Sequence, residues 1–165
     1  MKHSKNNVYL LSINNNNYEL QCNGTDNLLI TLRNKLSIIS PKYGCGKGIC
    51  GACSVLIDGV VSRSCQLTVE MVLDKKITTL EGLFFNGKEH PLKRAFIKEQ
   101  AFQCGYCTNG MIITAASLLN KKNDLTETEI SNALNSNICR CGAHRRIIKA
   151  VIKAASEIRK TIYDK

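Results

Sequence analysis

The chain has 165 residues, a formal net charge of +10 at pH 7 and hydrophobic residues at 44% of its positions. This length allows one domain or two small ones, and no stretch approaches the roughly 18 apolar residues of a membrane span. Basic residues are spread along the chain and aromatic residues are few (5%). The charge therefore indicates a solvated surface or a basic face for an acidic protein partner, and we expect no nucleic-acid binding.

Nine cysteines could form disulfides, bind metal or take part in redox chemistry. The first residues show neither an apolar signal segment nor a twin arginine, so nothing directs the chain to an oxidising compartment. We expect a cytoplasmic protein whose thiols are reduced and available as metal ligands. Export together with a partner that carries a signal is the alternative, and it would place the protein in the periplasm.

The first half of the chain reads as short strands around one helix. Alternation of apolar residues, turn dipeptides and a helical leucine stripe predict its elements. In chain order these are strands 7–13 and 18–22 around an Asn14–Asn17 turn, a helix over 28–36 capped by Thr25 or Asp26, a hairpin of strands 54–57 and 60–63 around Asp58-Gly59, and a strand over 77–80. This set of elements is typical of a β-grasp domain. Cys22 falls on the inner face of its strand, so we expect a buried residue that binds no metal.

Four cysteines lie around the predicted helix–hairpin junction. Cys45, Cys50 and Cys53 follow the C-x4-C-x2-C spacing of plant-type [2Fe–2S] loops, and the hairpin brings Cys65 back beside them. Glycines alternate with these cysteines and allow backbone N–H groups to approach the sulfur atoms. A flexible glycine loop with buried cysteines is the alternative, but it requires the spacing and the glycines to coincide. We name these four residues the first cysteine set.

The second half of the chain is predicted to be helical after a linker over Phe85–Pro91. Helices are expected from Pro91 up to Gln103, from Thr108 to Leu119, after the capping box Thr126–Glu129, and from Ala143 to Ile162. Four short helices predict a small bundle. We therefore expect an α+β protein with two domains, residues 1–84 and residues 85–165.

A second cysteine set lies at the junctions between these helices and consists of Cys104, Cys107, Cys139 and Cys141. The spacing C-x2-C followed by a distant C-x-C lets two ends of the bundle converge on one site. On this pattern alone, four thiolates fit structural zinc as well as a [2Fe–2S] cluster.

Both sets occur in an order that resembles a known family. The segments G-C-G-K-G-I-C-G-A-C-S-V-L-I-D-G, E-Q-A-F-Q-C-G-Y-C-T and N-I-C-R-C resemble the iron–sulfur subunit of molybdenum hydroxylases of the xanthine and aldehyde oxidase type. The resemblance extends over about residues 7–160. It implies an N-terminal plant-type ferredoxin domain, a C-terminal helical domain and one [2Fe–2S] cluster in each.

The resemblance also implies roles for particular residues. The second set would hold a cluster proximal to a molybdenum–pterin cofactor, and the first set a distal cluster that passes electrons outward. Gln103 matches a glutamine that hydrogen-bonds the pterin, and Cys141 matches a residue that also approaches it. A glutamine that merely ends a helix is the alternative. No catalytic residue is expected in this chain.

The implied assembly is a hetero-oligomer. A large partner subunit would hold the molybdopterin cofactor, of the cytosine dinucleotide type, and a cytochrome or an FAD subunit would accept the electrons. Two positions depart from the usual motif: Asn109 replaces a proline, and Gly142-Ala-His144 follows Cys141 where many members have T-G-Y. The second form resembles the branch of isoquinoline and nicotinate dehydrogenases. A stand-alone ferredoxin-like carrier or sensor and a zinc-bound interaction protein are the alternatives.

Overall fold

The computed structural model describes residues 7–122 and 124–163; the first six residues, where the sequence lacks a signal segment, lie outside the described residues. The elements in the first half are β1 (Asn7–Ile13), β2 (Asn16–Cys22), α1 (Leu28–Leu36), β3 (Ser54–Ile57), β4 (Val60–Arg63) and β5 (Lys76–Thr78). A short hairpin follows, β6 (Phe84–Phe85) and β7 (Lys88–Glu89), and then α2 (Pro91–Lys98), α3 (Thr108–Leu119), α4 (Glu127–Leu134) and α5 (His144–Tyr163). The predicted α+β class is confirmed.

Five strands form one mixed sheet in the order β2-β1-β5-β3-β4. β1 and β5 pair in parallel, whereas the other neighbours are antiparallel. Helix α1 packs on this sheet, and apolar side chains from both fill the space between them, among them Leu11, Ile13, Leu28, Leu32 and Val55. This is the expected β-grasp arrangement. Cys22 lies in the same core and is 1% exposed.

The strand turns are tighter than the sequence predicted. Asn14 and Asn15 alone connect β1 to β2, with φ angles of 54° and 63°, whereas a four-residue turn was expected. Asparagine tolerates this left-handed conformation, which the two-residue turns of right-twisted hairpins require. Asp58 and Gly59 connect β3 to β4 in the same way, with φ angles of 49° and 82°.

The cap of α1 corrects the prediction of Thr25 or Asp26. Asn27 caps the helix, since its side chain accepts from Ile30 N at 3.3 Å. Asp26 instead accepts from Asn23 N at 3.2 Å and so stabilises the preceding turn. Several polar residues in succession can cap a helix, and tertiary contacts decide between them.

The four helices of the second half enclose a second apolar core. The capping box predicted at Thr126 and Glu129 is present at the start of α4. Helix α2 is shorter than predicted, because the backbone becomes left-handed at Gln100, with a φ of 48°. Ala101 N then donates to Phe96 O at 2.9 Å, which closes the helix end. Gln103 therefore lies in a loop beyond the helix.

The segment predicted to be a linker is largely ordered. Phe84–Phe85 pairs with Lys88–Glu89 across a turn at Asn86 and Gly87, whose φ angles are 49° and 72°. An Asn-Gly dipeptide between two strand segments is a strong hairpin signal, and the linker interpretation overlooked it. Within the described ranges 7–122 and 124–163, no helix has both the length and the apolar composition required to cross a bilayer.

His90 begins α2 from a buried position. Its side chain is 4% exposed, and its Nδ1 accepts from Leu92 N at 3.2 Å as the N-cap. The ring packs edge-on against Phe85, with centroids 5.9 Å apart. The pKa of His90 is lowered to about 4, chiefly by burial and in smaller part by the positive charges of Lys93 and Arg94. Only the neutral ring can accept the capping hydrogen bond.

We expect this histidine to make the fold acid-sensitive in a defined window. Above pH 6.5, its ordinary pKa, the ring is neutral in both folded and unfolded chains. As the pH falls from 6.5 towards 4, the unfolded chain binds a proton that the folded chain does not, so stability falls. Between pH 6.5 and 5.5 the expected loss is about 1 kcal/mol, or roughly 2–4 °C in melting temperature.

Thermal unfolding of wild type and His90→Asn at several pH values measures this effect. Asparagine keeps a capping oxygen but does not titrate. The melting temperature of His90→Asn should therefore change less than that of wild type between pH 6.5 and 5.5. His144→Asn is the matched control, because His144 is exposed at the start of α5. Equal pH dependence in wild type and His90→Asn would contradict the expectation.

Candidate metal centres

The β3–β4 hairpin positions the fourth cysteine of the first set. Cys53 directly precedes β3, and Cys65 lies in the 3₁₀ turn Ser64–Gln66 that follows β4. Ser64 Oγ donates to Cys53 O at 2.7 Å, which ties the two ends of the hairpin together. The thiols of Cys53 and Cys65 are hydrogen-bond partners and pack on Leu29 of α1.

The other two cysteines of the first set lie at the surface end of the same site. Cys45 Sγ accepts from three backbone N–H groups, those of Lys47, Ile49 and Cys50, each at 3.3 Å. Cys45 N in turn donates to Cys50 Sγ at 3.4 Å. The N–H groups of Cys50 and Lys47 are the largest cause of a Cys45 pKa of about 6. The loop therefore stabilises a thiolate, which is the form that binds metal.

Burial acts in the opposite direction on the inner cysteine. It raises the pKa of Cys53 to about 11. A buried thiol of this kind loses its proton when a metal cation takes its place, so metal binding and deprotonation are coupled there. The first set thus combines a thiolate that backbone N–H groups stabilise, at Cys45, with a buried thiol that ionises when it binds a metal, at Cys53.

Glycine is required at one position beside these sulfurs. A Cβ atom on Gly44 would lie 2.7 Å from Cys50 Sγ, too close for any van der Waals contact. The backbone here approaches the sulfur directly, as a loop wrapped around a sulfur-ligated cluster must. This close approach and the four-thiol donor set both fit an iron–sulfur cluster.

The second cysteine set is assembled from two loops. Cys104 and Cys107 precede α3, and Cys139 and Cys141 lie between α4 and α5. Cys104 and Cys141 have their Sγ atoms 3.5 Å apart, and the thiols of Cys107 and Cys139 are hydrogen-bond partners. All four therefore converge. Cys104 is exposed, whereas the other three are partly buried.

The pKa values of the second set divide in the same way as those of the first. Burial raises the pKa of Cys107 to about 12. A backbone N–H from Tyr106 lowers the pKa of Cys104. At Cys139 burial raises the pKa, but N–H groups that include those of Ala143 and Gly142 outweigh it and lower the pKa overall. This loop also supplies hydrogen bonds that favour thiolates.

The two sets face a shared cavity of about 190 Å³. Its walls include Cys45 and Cys50 from the first set and Cys104, Cys107 and Cys139 from the second. A wider groove of about 590 Å³ lies to one side and is lined by no cysteine. In the part of the chain that the structure describes, no three Cys, His, Asp or Glu side chains meet in a geometry for one metal ion.

Gln103 lies next to the second set. Its Nε2 donates to Cys141 O at 3.4 Å, and the side chain is exposed. Phe102 and Tyr106 are also partly exposed nearby in sequence, and the Tyr106 hydroxyl donates to Tyr43 O. The amide of Gln103 is thus oriented by the backbone of a cysteine loop and retains an acceptor oxygen for another molecule.

Sequence reasoning overlooked two polar residues that hold Cys65 in place. Asn27 Nδ2 donates to Cys65 O at 2.9 Å, in addition to capping α1. Gln66 Nε2 donates to Gly46 O at 2.8 Å and lies 3.6 Å from Cys65 Sγ. The position of Gln66 directly after a cysteine was the available signal. For Asn27 the sequence offers no such signal, because its partner is 38 residues away.

Two family descriptions match the chain. A "2Fe-2S iron-sulfur cluster binding domain" covers residues 12–101, and a "[2Fe-2S] binding domain" covers residues 79–152. Fold, cysteine sets and matches together define an iron–sulfur protein with two [2Fe–2S] clusters. The zinc alternative for the second set is disfavoured, because that set falls within the second of these matches.

Similar proteins define the class more closely. The chain is 48% identical over 150 residues to a nicotinate dehydrogenase subunit of Pseudomonas putida, and the match covers 91% of this chain and 96% of that one. It is 45% identical over 130 residues to the alpha subunit of isoquinoline 1-oxidoreductase of Brevundimonas diminuta, covering 79% and 85%. The chain belongs to the family of [2Fe–2S] iron–sulfur subunits of molybdenum hydroxylases. It is an electron-transfer subunit of an oxidoreductase complex.

Solved structures agree with this assignment. Quinoline 2-oxidoreductase from Pseudomonas putida 86 superposes with a TM-score of 0.87 at 31% identity, over 95% of this chain and 98% of that chain. Aldehyde oxidoreductase from Desulfovibrio desulfuricans gives a TM-score of 0.86 at 37% identity over 92% of this chain. This chain spans only 17% of that longer protein. The two-part fold is therefore found both as a separate chain and as a segment of a larger one.

We expect Gly44→Ala to perturb one cluster selectively. The added Cβ must displace the Cys50 thiolate or the loop, since only 2.7 Å separates it from the sulfur. Electron paramagnetic resonance of the reduced protein should show one altered or weakened [2Fe–2S] signal and one unchanged signal.

Gly87→Ala provides the control for this substitution. Gly87 has a φ of 72°, and a Cβ there meets nothing within 4 Å. Alanine at Gly87 should therefore cost stability through backbone strain but leave both signals intact. Two unchanged signals in Gly44→Ala would show that this glycine does not border a cluster.

Proposed function

We propose that the first cysteine set holds one [2Fe–2S] cluster and the second set holds the other. Support comes from the convergence of four thiols in each set and from the N–H groups that favour thiolates in both. We further propose that residues 1–84 form the ferredoxin domain and residues 85–165 the helical domain. Separate apolar cores, one beneath the sheet and one among the helices, support this division. Each cluster, when bound, supplies one-electron chemistry.

The second set is proposed to face the molybdenum-binding subunit. The observation that carries this proposal is that two exposed residues, Gln103 and Cys104, lie beside the partly buried Cys141, so that an exposed thiol and an oriented amide occur together. A cluster ligand left in water invites oxidation and loss of metal, so we infer that a partner covers it. Gln103 and Cys141 would contact the pterin of that subunit's molybdopterin cofactor, of the cytosine dinucleotide type.

Exposed apolar side chains next to both sets support a covering partner. Ile49 is 62% exposed and adjoins Cys50, and Ile138 is 57% exposed and adjoins Cys139. Phe102 and Tyr106, beside the second set in sequence, are 40% and 48% exposed. Clustered exposed apolar side chains are typical of protein interfaces. A stand-alone carrier, the alternative function, has no need for such a surface.

The first set is proposed to deliver electrons to the external acceptor, a cytochrome or an FAD subunit. Cys45 is partly buried, but the loop that donates N–H groups to its sulfur includes the exposed Lys47 and Ile49, and this supports an outward role. The protein's own part is to hold the sulfur ligands, exclude water from the inner thiols and donate N–H groups that set the cluster potentials. The cytoplasmic location remains a prediction, as does export to the periplasm with a signal-bearing partner.

Single cysteine substitutions test the ligand assignment. Cys45→Ser should change or remove one reduced [2Fe–2S] signal in electron paramagnetic resonance, and Cys104→Ser should change or remove the other. Each should leave the remaining signal intact, because the two sets share no ligand.

Cys22→Ala is the control for these substitutions. Cys22 lies in the sheet core away from both sets, so both signals should persist despite some loss of stability. If Cys45→Ser and Cys104→Ser altered the same signal, the assignment of one cluster to each set would be wrong.

Substitution of Gln103 tests the contact with the partner's cofactor. In the complex with the molybdenum subunit, Gln103→Ala should leave both cluster signals intact. It should lower molybdenum retention or turnover by roughly 2- to 10-fold, the effect of about one lost hydrogen bond. Molybdenum per complex and steady-state rates are the measurements.

Gln100→Asn is the matched control. Gln100 is exposed in the same connection, and asparagine tolerates its left-handed backbone. It should retain wild-type molybdenum content and rate. The pterin contact is refuted if Gln103→Ala also behaves as wild type.

A further inference from the structure

Helix α3 is joined to the loop of the first cysteine set by one buried side chain. Asn109, in the first turn of α3, is 1% exposed. Its Nδ2 donates to Ala52 O at 3.1 Å and to Ser54 O at 3.0 Å. These partners are more than 50 residues away in sequence, so the bonds are purely tertiary. They use both hydrogens of the amide nitrogen.

The position of these bonds relative to the cysteines is unusual. Ala52 and Ser54 are the two neighbours of Cys53, and Asn109 lies two residues after Cys107. A single amide group therefore fixes the backbone on both sides of a first-set cysteine. It does so from the helix that begins directly after a second-set cysteine.

Two glycines let the segments around Asn109 approach each other closely. A Cβ on Gly110 would lie 2.2 Å from Gly51 O, and a Cβ on Gly51 would lie 2.1 Å from Asn137 Oδ1. Ile138 N donates to Cys50 O at 3.0 Å, so the loop before α5 is bound to the same segment. We call Gly51, Ala52, Asn109, Gly110 and Asn137 the seam.

Each member of the seam lies within three residues of a cysteine from one of the two sets. Movement at the seam would therefore change the separation of the sets. Two further hydrogen bonds join the halves near the cysteines, from the Tyr106 hydroxyl to Tyr43 O and from Arg63 to Ser136 O. Ser117, by contrast, joins the halves far from the cysteines. Its Oγ accepts from Val61 N at 3.1 Å and donates to Gly59 O at 3.3 Å, at the far end of the β3–β4 hairpin.

The chemistry of the seam requires a donor at position 109. Asparagine donates to both carbonyl groups at once, whereas leucine of similar size donates nothing and aspartate would direct oxygen at oxygen. Among the described residues, the buried Oδ1 atom of Asn109 has no hydrogen-bond partner. The two hydrogen bonds that Nδ2 donates therefore hold the side chain in place, although burial of the unpaired Oδ1 costs free energy.

We propose that Asn109 is a positioning residue that fixes the separation of the two [2Fe–2S] clusters by clamping the backbone on both sides of Cys53 to the start of α3. This inference rests on the ligand assignment proposed above. Loss of the clamp frees the Cys53 segment to move away from α3. The clusters remain bound, because no ligand is removed, but the distance between them increases and varies.

Magnetic interaction between the two reduced clusters reports their separation, since a dipolar interaction falls with the cube of distance. In the fully reduced protein, Asn109→Leu should retain the wild-type iron content. Its spin–spin splitting, or the relaxation enhancement that each cluster exerts on the other, should decrease. Asn109→Ala should show the same change and provides a second variant if leucine prevents folding.

Ser117→Ala is the matched control. It removes two hydrogen bonds between the same helix and the same hairpin, but far from the cysteines. It should lower the melting temperature and leave the spin–spin interaction as in wild type. If any lost hydrogen bond between the two halves loosened the whole protein, the spin–spin interaction would decrease in the Ser117 variant as well as in the Asn109 variants.

The outcomes separate this inference from the proposed function. If Cys45→Ser and Cys104→Ser confirm one cluster in each set, but Asn109→Leu and Asn109→Ala keep the wild-type interaction, the positioning role is overturned. If the ligand substitutions fail to separate two clusters, the ligand assignment itself is wrong. A decrease in the Asn109 variants with none in Ser117→Ala supports the inference.

Discussion

Four thiolates and the sulfides of a [2Fe–2S] cluster carry more negative charge than the iron offsets. On the proposed assignment, the first loop must stabilise this excess charge. Backbone N–H groups stabilise negative charge on sulfur, and three of them donate to Cys45 Sγ. At the neighbouring sulfur, Cys50 Sγ, the absence of a side chain on Gly44 lets the backbone approach closely. The β3–β4 hairpin and Asn27 serve the same end, since they return Cys65 to the site and hold it there.

The same constraint acts on the second set with different architecture. There the thiols come from loops at helix ends, and N–H groups of the loop before α5 favour the Cys139 thiolate. Burial opposes ionisation at Cys53 and Cys107, one cysteine of each set. These two thiols lose their protons when a metal binds. Backbone N–H groups instead lower the pKa of Cys45 in the first set and of Cys104 and Cys139 in the second, which favours the metal-binding thiolate.

Local signals explain which parts of the fold could be predicted. Helix α1 and the β3–β4 hairpin have the predicted bounds, because a leucine stripe and an Asp-Gly turn are encoded within a few residues. The cap of α1 and the end of α2 were wrong, since tertiary contacts chose among several adequate residues. Spacing indicated an iron–sulfur loop for the first cysteine set, whereas the second set was ambiguous on spacing alone and was interpreted through the family resemblance. The role of Asn109 could not be predicted, because its partners are over 50 residues away.

Asn109 departs from the family motif, which has proline at this position, and the departure adds hydrogen bonds to the structure. Proline also suits the first turn of a helix, so the local fold of α3 does not decide between the two residues. The difference lies across the seam, where an amide can hold two carbonyl groups and a proline ring can hold none. A chain with asparagine here gains a direct link between its two cysteine loops. In a chain with proline, the other contacts between the loops would have to hold their separation, such as the hydrogen bond from Ile138 N to Cys50 O and the close approach of Gly51 to Gly110.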